Sequence, residues 1–229
     1  AARGFSSRTD LVECEQGFAL THGPDFNPEK ALAEPPGGFH VLRNLFKYHA
    51  ACYLTHGPIE SARAVRERHG VRPEQIDRIA LRLDRSTNRV CNIPAPVDGL
   101  QSKFSLRQTV AMALAGVDTA GLDNYSAECA ADPALAALRE RFTVALRSDV
   151  TATFASLEVE TTDGRRFAAS HDAGIPARDL DEQEERLRAK FDALVTPRLG
   201  RERSGALAGR ILALESAASI DPLLELSAR

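Results

Sequence analysis

The chain has 229 residues, 43% of them hydrophobic and 27% charged, which is typical of a globular protein with its own core. A net charge of −3 lacks the basic excess of a nucleic-acid-binding protein, and the longest apolar run, Val110–Val117, is too short to span a bilayer. The sequence opens without a charged-then-apolar leader, so we expect a cytoplasmic protein with neither a nucleic-acid nor a membrane partner.

Short helical pieces separated by turn residues are predicted for residues 1–38. The Pro- and Gly-rich stretch Glu34–Gly38 is the strongest candidate for a domain boundary. Because the sequence opens in what resembles the end of one helix and the start of another, we expect the chain to be a piece of a longer protein.

The centre of the chain begins with a predicted helix. It runs from Pro58 to a stop signal at Gly70, and its apolar face carries Ile59, Ala62 and Val65. The apolar–polar alternation that follows, at Ile79–Asp84, is typical of a half-buried strand.

Further helices are predicted after this strand. A second helix is predicted from Lys103 to Gly116, and a third starts at Pro133 with Asp132 as its N-cap. These elements alternate too little for a Rossmann fold, and no phosphate-binding glycine motif is present.

Strands dominate the next part of the chain, with a hairpin predicted to turn at Asp163–Gly164. A closing amphipathic helix has its apolar face at Leu180, Leu187, Phe191 and Leu194. The last residues predict helix with an exposed apolar face, at Ile211, Leu212 and Leu214. The order of elements predicts an α+β fold, with an antiparallel sheet and flanking helices.

The pentapeptide LTHGP occurs twice, at Leu20–Pro24 and at Leu54–Pro58. Only the second copy runs into a helix, so we interpret the first as a coincidence and expect His22 on a surface turn. In the second copy the unbonded first-turn N–H groups of Ile59 and Glu60 form a helix end of the kind that attracts carboxylates.

His56 stands at that helix end, and Lys47 lies just upstream in an apolar run. The pattern is open to a functional and a structural interpretation. In the structural one, Thr55 caps the helix, His56 is a hydrogen-bonded polar residue and the stem of Lys47 covers apolar surface.

The run KYHAACYLTHGPIESA resembles the MmgE/PrpD family, which includes 2-methylcitrate dehydratase, cis-aconitate decarboxylase and iminodisuccinate epimerase. Six residues match the family pattern K-P-Y-P-C-C-R-Y-T-H-G-x-I-D-A in place: Lys47, Cys52, Thr55, His56, Gly57 and Ile59. A second family signature, E-A-K-F-S-L-x-x-x-V-A-x-A-L-x-x-G, is similar to the stretch that ends at Gly116. Tyr48 and Ala50 replace the family prolines, and Gln101 replaces the acidic residue.

The resemblance covers roughly residues 4–194 and corresponds to the C-terminal half of the family. It implies that residues 1–38 end an all-helical domain, that residues 39–195 form an α+β lid domain, and that residues 196–229 are a C-terminal helical segment. The helical segments at both ends would then belong to the all-α domain.

The resemblance also implies a chemistry. Family substrates are small polycarboxylates, and dehydration needs cations that hold carboxylates together with an acid and a base. We expect a lyase that dehydrates a substrate such as 2-methylcitrate in propionate metabolism. Lys47 and His56 would be catalytic, and four further residues would bind substrate: Lys103, Thr55, Gly57 and Cys52. No metal or cofactor is implied, and a homodimer is expected.

Two alternatives stay open at this point. The chain could belong to a decarboxylase or an epimerase of the same family, which the lid sequence does not separate from a dehydratase. It could also be a truncated, non-catalytic lid that binds a partner. A Lys47→Ala substitution distinguishes the enzymes from the lid, because only the enzymes would lose turnover.

Overall fold

The computed structural model of the protein describes residue 4, residues 6–23 and residues 25–228. Pro24, the last residue of the first LTHGP copy, lies outside the described residues. The chain forms two compact units, which divide in sequence between Asn44 and Leu45. The three predicted segments, 1–38, 39–195 and 196–229, stay predictions.

The first unit contains two short α-helices, α1 (Phe18–His22) and α2 (Pro28–Leu32), and a 3-10 helix, His40–Arg43. Proline occupies the first position of α2, where it costs no hydrogen bond. His22 ends α1 instead of lying on a turn, and its exposed ring stacks on Phe18 at 4.1 Å.

The second unit holds a four-stranded sheet and the remaining helices. Its strands are β1 (Ile76–Asp84), β2 (Phe142–Arg147), β3 (Phe154–Thr161) and β4 (Arg166–Asp172). Its α-helices are α3 (His56–His69), α4 (Thr87–Cys91), α5 (Gly99–Lys103), α6 (Leu106–Leu114), α7 (Ala127–Ala131), α8 (Pro133–Glu140), α9 (Leu180–Leu199), α10 (Arg201–Leu212) and α11 (Asp221–Ser227). Its 3-10 helices are Tyr53–Thr55, Pro73–Gln75, Leu122–Asn124 and Leu214–Ser216.

The sheet confirms the α+β class and has the strand order β2-β1-β3-β4. Two of its pairings are antiparallel, β1 with β3 and β3 with β4, and the turn between β3 and β4 contains the predicted Asp163–Gly164. β1 and β2 pair in parallel, so the sheet is mixed rather than wholly antiparallel. The five helices α4 to α8 lie between β1 and β2 in sequence and form the long crossover that parallel strands need.

One face of the sheet carries the core. Leu81 of β1 pairs with Leu157 of β3, and Ile79 pairs with Val159, all four at most 1% exposed. Helix α3 packs on β3 and β4 and also on α6. Its predicted apolar face is confirmed, because its three members are fully buried: Ile59, Ala62 and Val65.

Local capping explains two helix boundaries. The expected helix from Lys103 to Gly116 is interrupted, because the Ser105 side chain accepts a hydrogen bond from the N–H of Gln108 and starts α6 afresh. The predicted N-cap of α8 is confirmed, since Asp132 Oδ1 accepts from the N–H groups of Ala134 and Leu135.

Few residues of the C-terminal helices are buried: Ser204 and Leu207 are buried on α10, whereas α9 has half-buried and exposed residues. On α9 the side chains of Leu187, Phe191 and Leu194 are half-buried, whereas Leu180 is 68% exposed and does not join their face. The prediction of exposed apolar residues beyond α9 is confirmed, because three such side chains are exposed: Ile211, Leu212 and Leu214. None of the helices formed by the described residues has the length and apolar character that crossing a bilayer requires.

Candidate active site

The start of α3 is buried, which differs from the open helix end expected for an anion site. His56, Gly57, Pro58 and Ile59 are all shielded from solvent. Thr55 precedes them without capping the helix, because its Oγ1 donates instead to the carbonyl oxygen of Cys52 at 2.7 Å. The first turn of α3 is therefore a packed part of the core.

Gly57 is the reason why α3 can start so close to the sheet. A Cβ at this position would lie 2.6 Å from the Thr153 carbonyl oxygen and 3.2 Å from that of His171. Backbone atoms cannot move away as a flexible side chain can. Close packing thus requires glycine at this position, which accounts for its place in the motif.

His56 projects into this tight region and is 2% exposed. Its Nε2 has no hydrogen-bond partner among the described residues. Burial, the His49 ring and the ammonium groups of Lys190 and Lys47 lower the pKa of His56 to about 3. The imidazole is therefore neutral at physiological pH, with an unused ring nitrogen.

Lys47 is exposed and lies before the turn that leads into α3. The Nζ of Lys190, on α9, donates a hydrogen bond to the carbonyl oxygen of Lys47. Burial and the charge of Lys47 lower the pKa of Lys190. Within the described part of the chain neither lysine forms an ion pair with a carboxylate, so the repulsion that Lys190 feels from Lys47 is not compensated by an ion pair.

Cys52 and Lys103 meet through the backbone, where the N–H of Cys52 donates to the Lys103 carbonyl oxygen at 3.0 Å. The Lys103 ammonium lies 5.6 Å above the ring of Tyr125, a cation–π contact. The structure therefore brings the backbone of Lys103 to the motif, while its charge lies over an aromatic ring.

A hydrogen-bonded chain that the sequence did not single out lies next to His56. His49 Nε2 lies 2.8 Å from Glu60 Oε1, and His49 Nδ1 lies 2.7 Å from Thr119 Oγ1. Arg186 donates to the same Glu60 oxygen and covers the ring of Tyr48 at 3.8 Å. Burial alone would raise the pKa of Glu60, but the hydrogen bond from His49 and the nearby cations lower it to about 2.

These hydrogen-bonded residues lie in the wall of a cavity of about 850 Å³, between α3, α9 and β4. Tyr48, His49, Glu60, Arg186 and Lys190 are among its lining residues. Arg186 and Lys190 lie one helical turn apart on α9, and this basic i, i+4 pair was the available sequence signal for them. His49 and Glu60 flank the second LTHGP motif and were overlooked because neither belongs to it.

Across residues 6–23 and 25–228, His, Cys, Asp and Glu side chains do not gather in groups of three or more that could hold a metal ion.

Comparison with known proteins identifies the family. Residues 49–214 match the model of the MmgE/PrpD C-terminal domain. The chain belongs to the MmgE/PrpD family. A search of the curated proteins finds no match to the chain.

The match confirms the resemblance to the MmgE/PrpD family. It also confirms that this chain corresponds to the C-terminal half of the family's proteins. Cys52, Thr55, His56, Gly57 and Lys103 lie within the matched residues. Lys47 lies outside them, before residue 49, and its role in the site stays a prediction, as do the roles of the other five residues.

Proposed function

We propose that this chain forms the lid side of the active site of a lyase, a dehydratase that acts on a small polycarboxylate such as 2-methylcitrate. Membership of the MmgE/PrpD family supports an enzyme that includes this domain. The substrate, the reaction and the residues that bind the substrate and catalyse the reaction are proposed here.

One observation carries the proposal, namely the uncompensated pair formed by Lys47 and Lys190. Lys190 Nζ is held at the carbonyl oxygen of Lys47, and its own pKa is lowered by burial and by the charge of Lys47. Two adjacent cations without a carboxylate partner favour a ligand that brings carboxylates of its own. A polycarboxylate supplies the missing negative charge.

In this proposal Lys47 binds a substrate carboxylate and stabilises the enolate that develops when the neighbouring proton leaves. His56 is neutral and its Nε2 is unpartnered, so this nitrogen is free to accept a proton, but the lowered pKa of about 3 makes it a weak base without a ligand. A bound polycarboxylate would raise the pKa of His56 by its negative charge and make it a stronger base.

In this proposal the remaining predicted residues support the site and do not take part in proton transfer. Lys103 adds positive charge, and Thr55 and Cys52 hold the turn before α3. Gly57 acts by letting α3 approach the sheet. The expected homodimer, the cytoplasmic location and the part in propionate metabolism belong to the same proposal.

The alternatives differ in reaction or in activity. A decarboxylase or an epimerase of the family would use the same cations on a similar acid. A truncated lid would bind a partner and would have no turnover to lose.

The experiment uses the protein at the length at which its own cells make it, determined first by intact mass against the 24.8 kDa of this chain. Purified protein is incubated with 2-methylcitrate, citrate or cis-aconitate, and water loss, CO₂ release and product stereochemistry are followed by NMR. Dehydration of 2-methylcitrate supports the proposal, whereas CO₂ release or epimerisation assigns the alternative reactions.

Lys47→Ala then tests the site, with Arg210→Ala as the control, because Arg210 is an exposed cation on α10. We expect Lys47→Ala to abolish turnover and Arg210→Ala to leave it unchanged. Full kcat/KM in Lys47→Ala would refute the role of Lys47. Absence of any turnover in the unaltered protein would favour the non-catalytic lid.

A further inference from the structure

The hydroxyl of Thr119 lies next to a histidine ring. Thr119 is found between α6 and the 3-10 helix Leu122–Asn124, and it is 4% exposed. Its Oγ1 lies 2.7 Å from His49 Nδ1, the one hydrogen bond of this oxygen among the described residues. The carbonyl oxygen of Thr119 accepts from the N–H of Ala50 at 2.9 Å and from the hydroxyl of Tyr125 at 3.0 Å. Backbone and side chain of Thr119 are therefore both held in place.

The groups around His49 determine which of its ring nitrogens carries the proton. Glu60 Oε1 lies 2.8 Å from His49 Nε2, and the pKa of Glu60 is lowered to about 2, so its carboxylate is ionised and only accepts. Burial lowers the pKa of His49, so the ring is neutral at pH 7 with its proton on Nε2. His49 Nδ1 thus has a lone pair, to which the hydroxyl of Thr119 donates.

The order of these three groups is that of a catalytic triad. A hydroxyl is hydrogen-bonded to a neutral imidazole, a carboxylate orients the imidazole, and both distances are in the range in which a base activates a nucleophile. Arg186 donates to the same oxygen of Glu60 and so keeps the carboxylate in position. Thr119, His49 and Glu60 all line the cavity of about 850 Å³, whose size is typical of small-molecule sites.

We propose that Thr119, His49 and Glu60 form an acyl-transfer site, which hydrolyses a small carboxylic ester through an acyl group on Thr119. The hydroxyl oxygen of Thr119 attacks the ester carbonyl carbon while its proton passes to His49 Nδ1. The C–O bond to the alcohol breaks, and the alcohol oxygen takes that proton from His49. Water then attacks the acyl carbonyl and gives a proton to His49, the carboxylic acid leaves, and Thr119 regains its proton from His49.

Charged groups around the cavity stabilise the intermediates of this reaction. Arg186 and Lys190 line the same cavity and bring positive charge to the oxyanion that forms in each attack. The carboxylate of Glu60 stabilises the imidazolium that His49 becomes. The proposal depends on these side chains and is independent of the lyase reaction proposed above.

Diisopropyl fluorophosphate tests the nucleophile, because an activated hydroxyl displaces its fluoride and retains the phosphoryl group. The folded protein, at the length at which its own cells make it, is incubated with this reagent, and the modified residue is mapped by mass spectrometry of the digest. We expect one phosphoryl group per chain, on Thr119. An unmodified protein, or modification of other residues alone, would overturn the proposal.

Variants separate a catalytic role of the hydrogen bonds from a purely structural one. Thr119→Ser keeps the hydroxyl and should still be labelled, whereas Thr119→Val should not. His49→Gln keeps a donor and an acceptor but takes up no proton, so labelling should slow by about 100-fold or more. Thr162→Val, at an exposed threonine in the turn between β3 and β4, is the matched control and should be labelled at the unaltered rate. Equal rates in His49→Gln and the unaltered protein would show that His49 is not the base.

Hydrolysis of p-nitrophenyl acetate measures the complete reaction. We expect the unaltered protein and Thr162→Val to release nitrophenol at the same rate, and Thr119→Val to release it no faster than buffer does. Release by Thr119→Val at the unaltered rate would contradict acyl transfer through Thr119. Because neither reagent is a polycarboxylate, a negative result here leaves the proposed lyase reaction unaffected, and a negative result with 2-methylcitrate leaves this site unaffected.

Discussion

The ring of His49 lies edge-on to the ring of His56, with centroids 4.9 Å apart and an angle of 63° between the planes. Both residues are 2% exposed, yet their hydrogen bonding differs. His49 is held on one side by Glu60 and on the other by Thr119. His56 Nε2 has no partner among the described residues, so one ring is anchored while its neighbour keeps a free nitrogen.

The stability of the fold should fall in mild acid because of His56. Its pKa is lowered from 6.5 to about 3 in the folded protein, so the unfolded chain takes up a proton that the folded chain does not. Stability is lost as the pH falls below 6.5 toward 3. Between pH 7.5 and pH 4.5 this group should remove roughly 2–3 kcal/mol from the free energy of unfolding.

Urea unfolding at the two pH values measures this loss. His56→Phe keeps an aromatic ring against His49 and should shrink the difference, whereas His40→Phe, at an exposed site of the first unit, should preserve it. Glu60 adds little at these two pH values, because its lowered pKa of about 2 acts mainly below its usual 4.5, whereas the lowered pKa of His49 adds an acid loss that His56→Phe leaves in place. An unchanged acid loss in His56→Phe would show that His56 is not the titrating group.

Gly57→Ala should destabilise the fold by roughly 2–3 kcal/mol, since its Cβ would meet the Thr153 carbonyl oxygen at 2.6 Å. Gly205→Ala is the matched control, because no atom lies within 4 Å of a Cβ there, in the middle of α10. It should stabilise the protein by about 0.5–1 kcal/mol through helix propensity. Urea unfolding measures both changes in stability from the shift of the midpoint, provided that the dependence of the unfolding free energy on urea concentration stays the same. An unaltered midpoint for Gly57→Ala would contradict the close packing.

Glu60→Gln should cost about 2 kcal/mol at pH 7, because it removes the charge that compensates the partly buried Arg186. Glu67→Gln, on the same helix with a side chain 50% exposed, should cost less than about 0.5 kcal/mol. The pKa of Glu60 is lowered to about 2, so its contribution is present above pH 4.5 and lost as the pH falls toward 2. Equal stabilities of the two variants at pH 7 would argue against the Glu60 network.

Lys190→Ala should weaken substrate binding if Lys190 shares the carboxylate site with Lys47. Loss of one charged hydrogen bond predicts a roughly 10- to 100-fold rise in KM for the polycarboxylate, with a smaller change in kcat. Calorimetric titration with the same acid provides a readout that is independent of turnover. Arg201→Ala, at an exposed cation beyond the end of α9, is the control, and an unchanged KM in Lys190→Ala would exclude Lys190 from the site.

The sequence by itself determined the local elements of this protein. The Asp132 cap, the Asp163–Gly164 turn and the apolar face of α3 were predicted and are confirmed. Each depends on residues a few positions apart, which a single sequence displays directly. The motif around His56 likewise identified the family, because its pattern is continuous along the chain.

Only the tertiary structure decided which distant groups meet. Lys190 and Lys47 are 143 positions apart, and Arg186 reaches Glu60 across 126 positions. The parallel pairing of β1 with β2 likewise follows from a helical crossover that no turn signal specifies. Such contacts are fixed by how buried faces pack together, and a periodic pattern records that a face is buried but not what covers it.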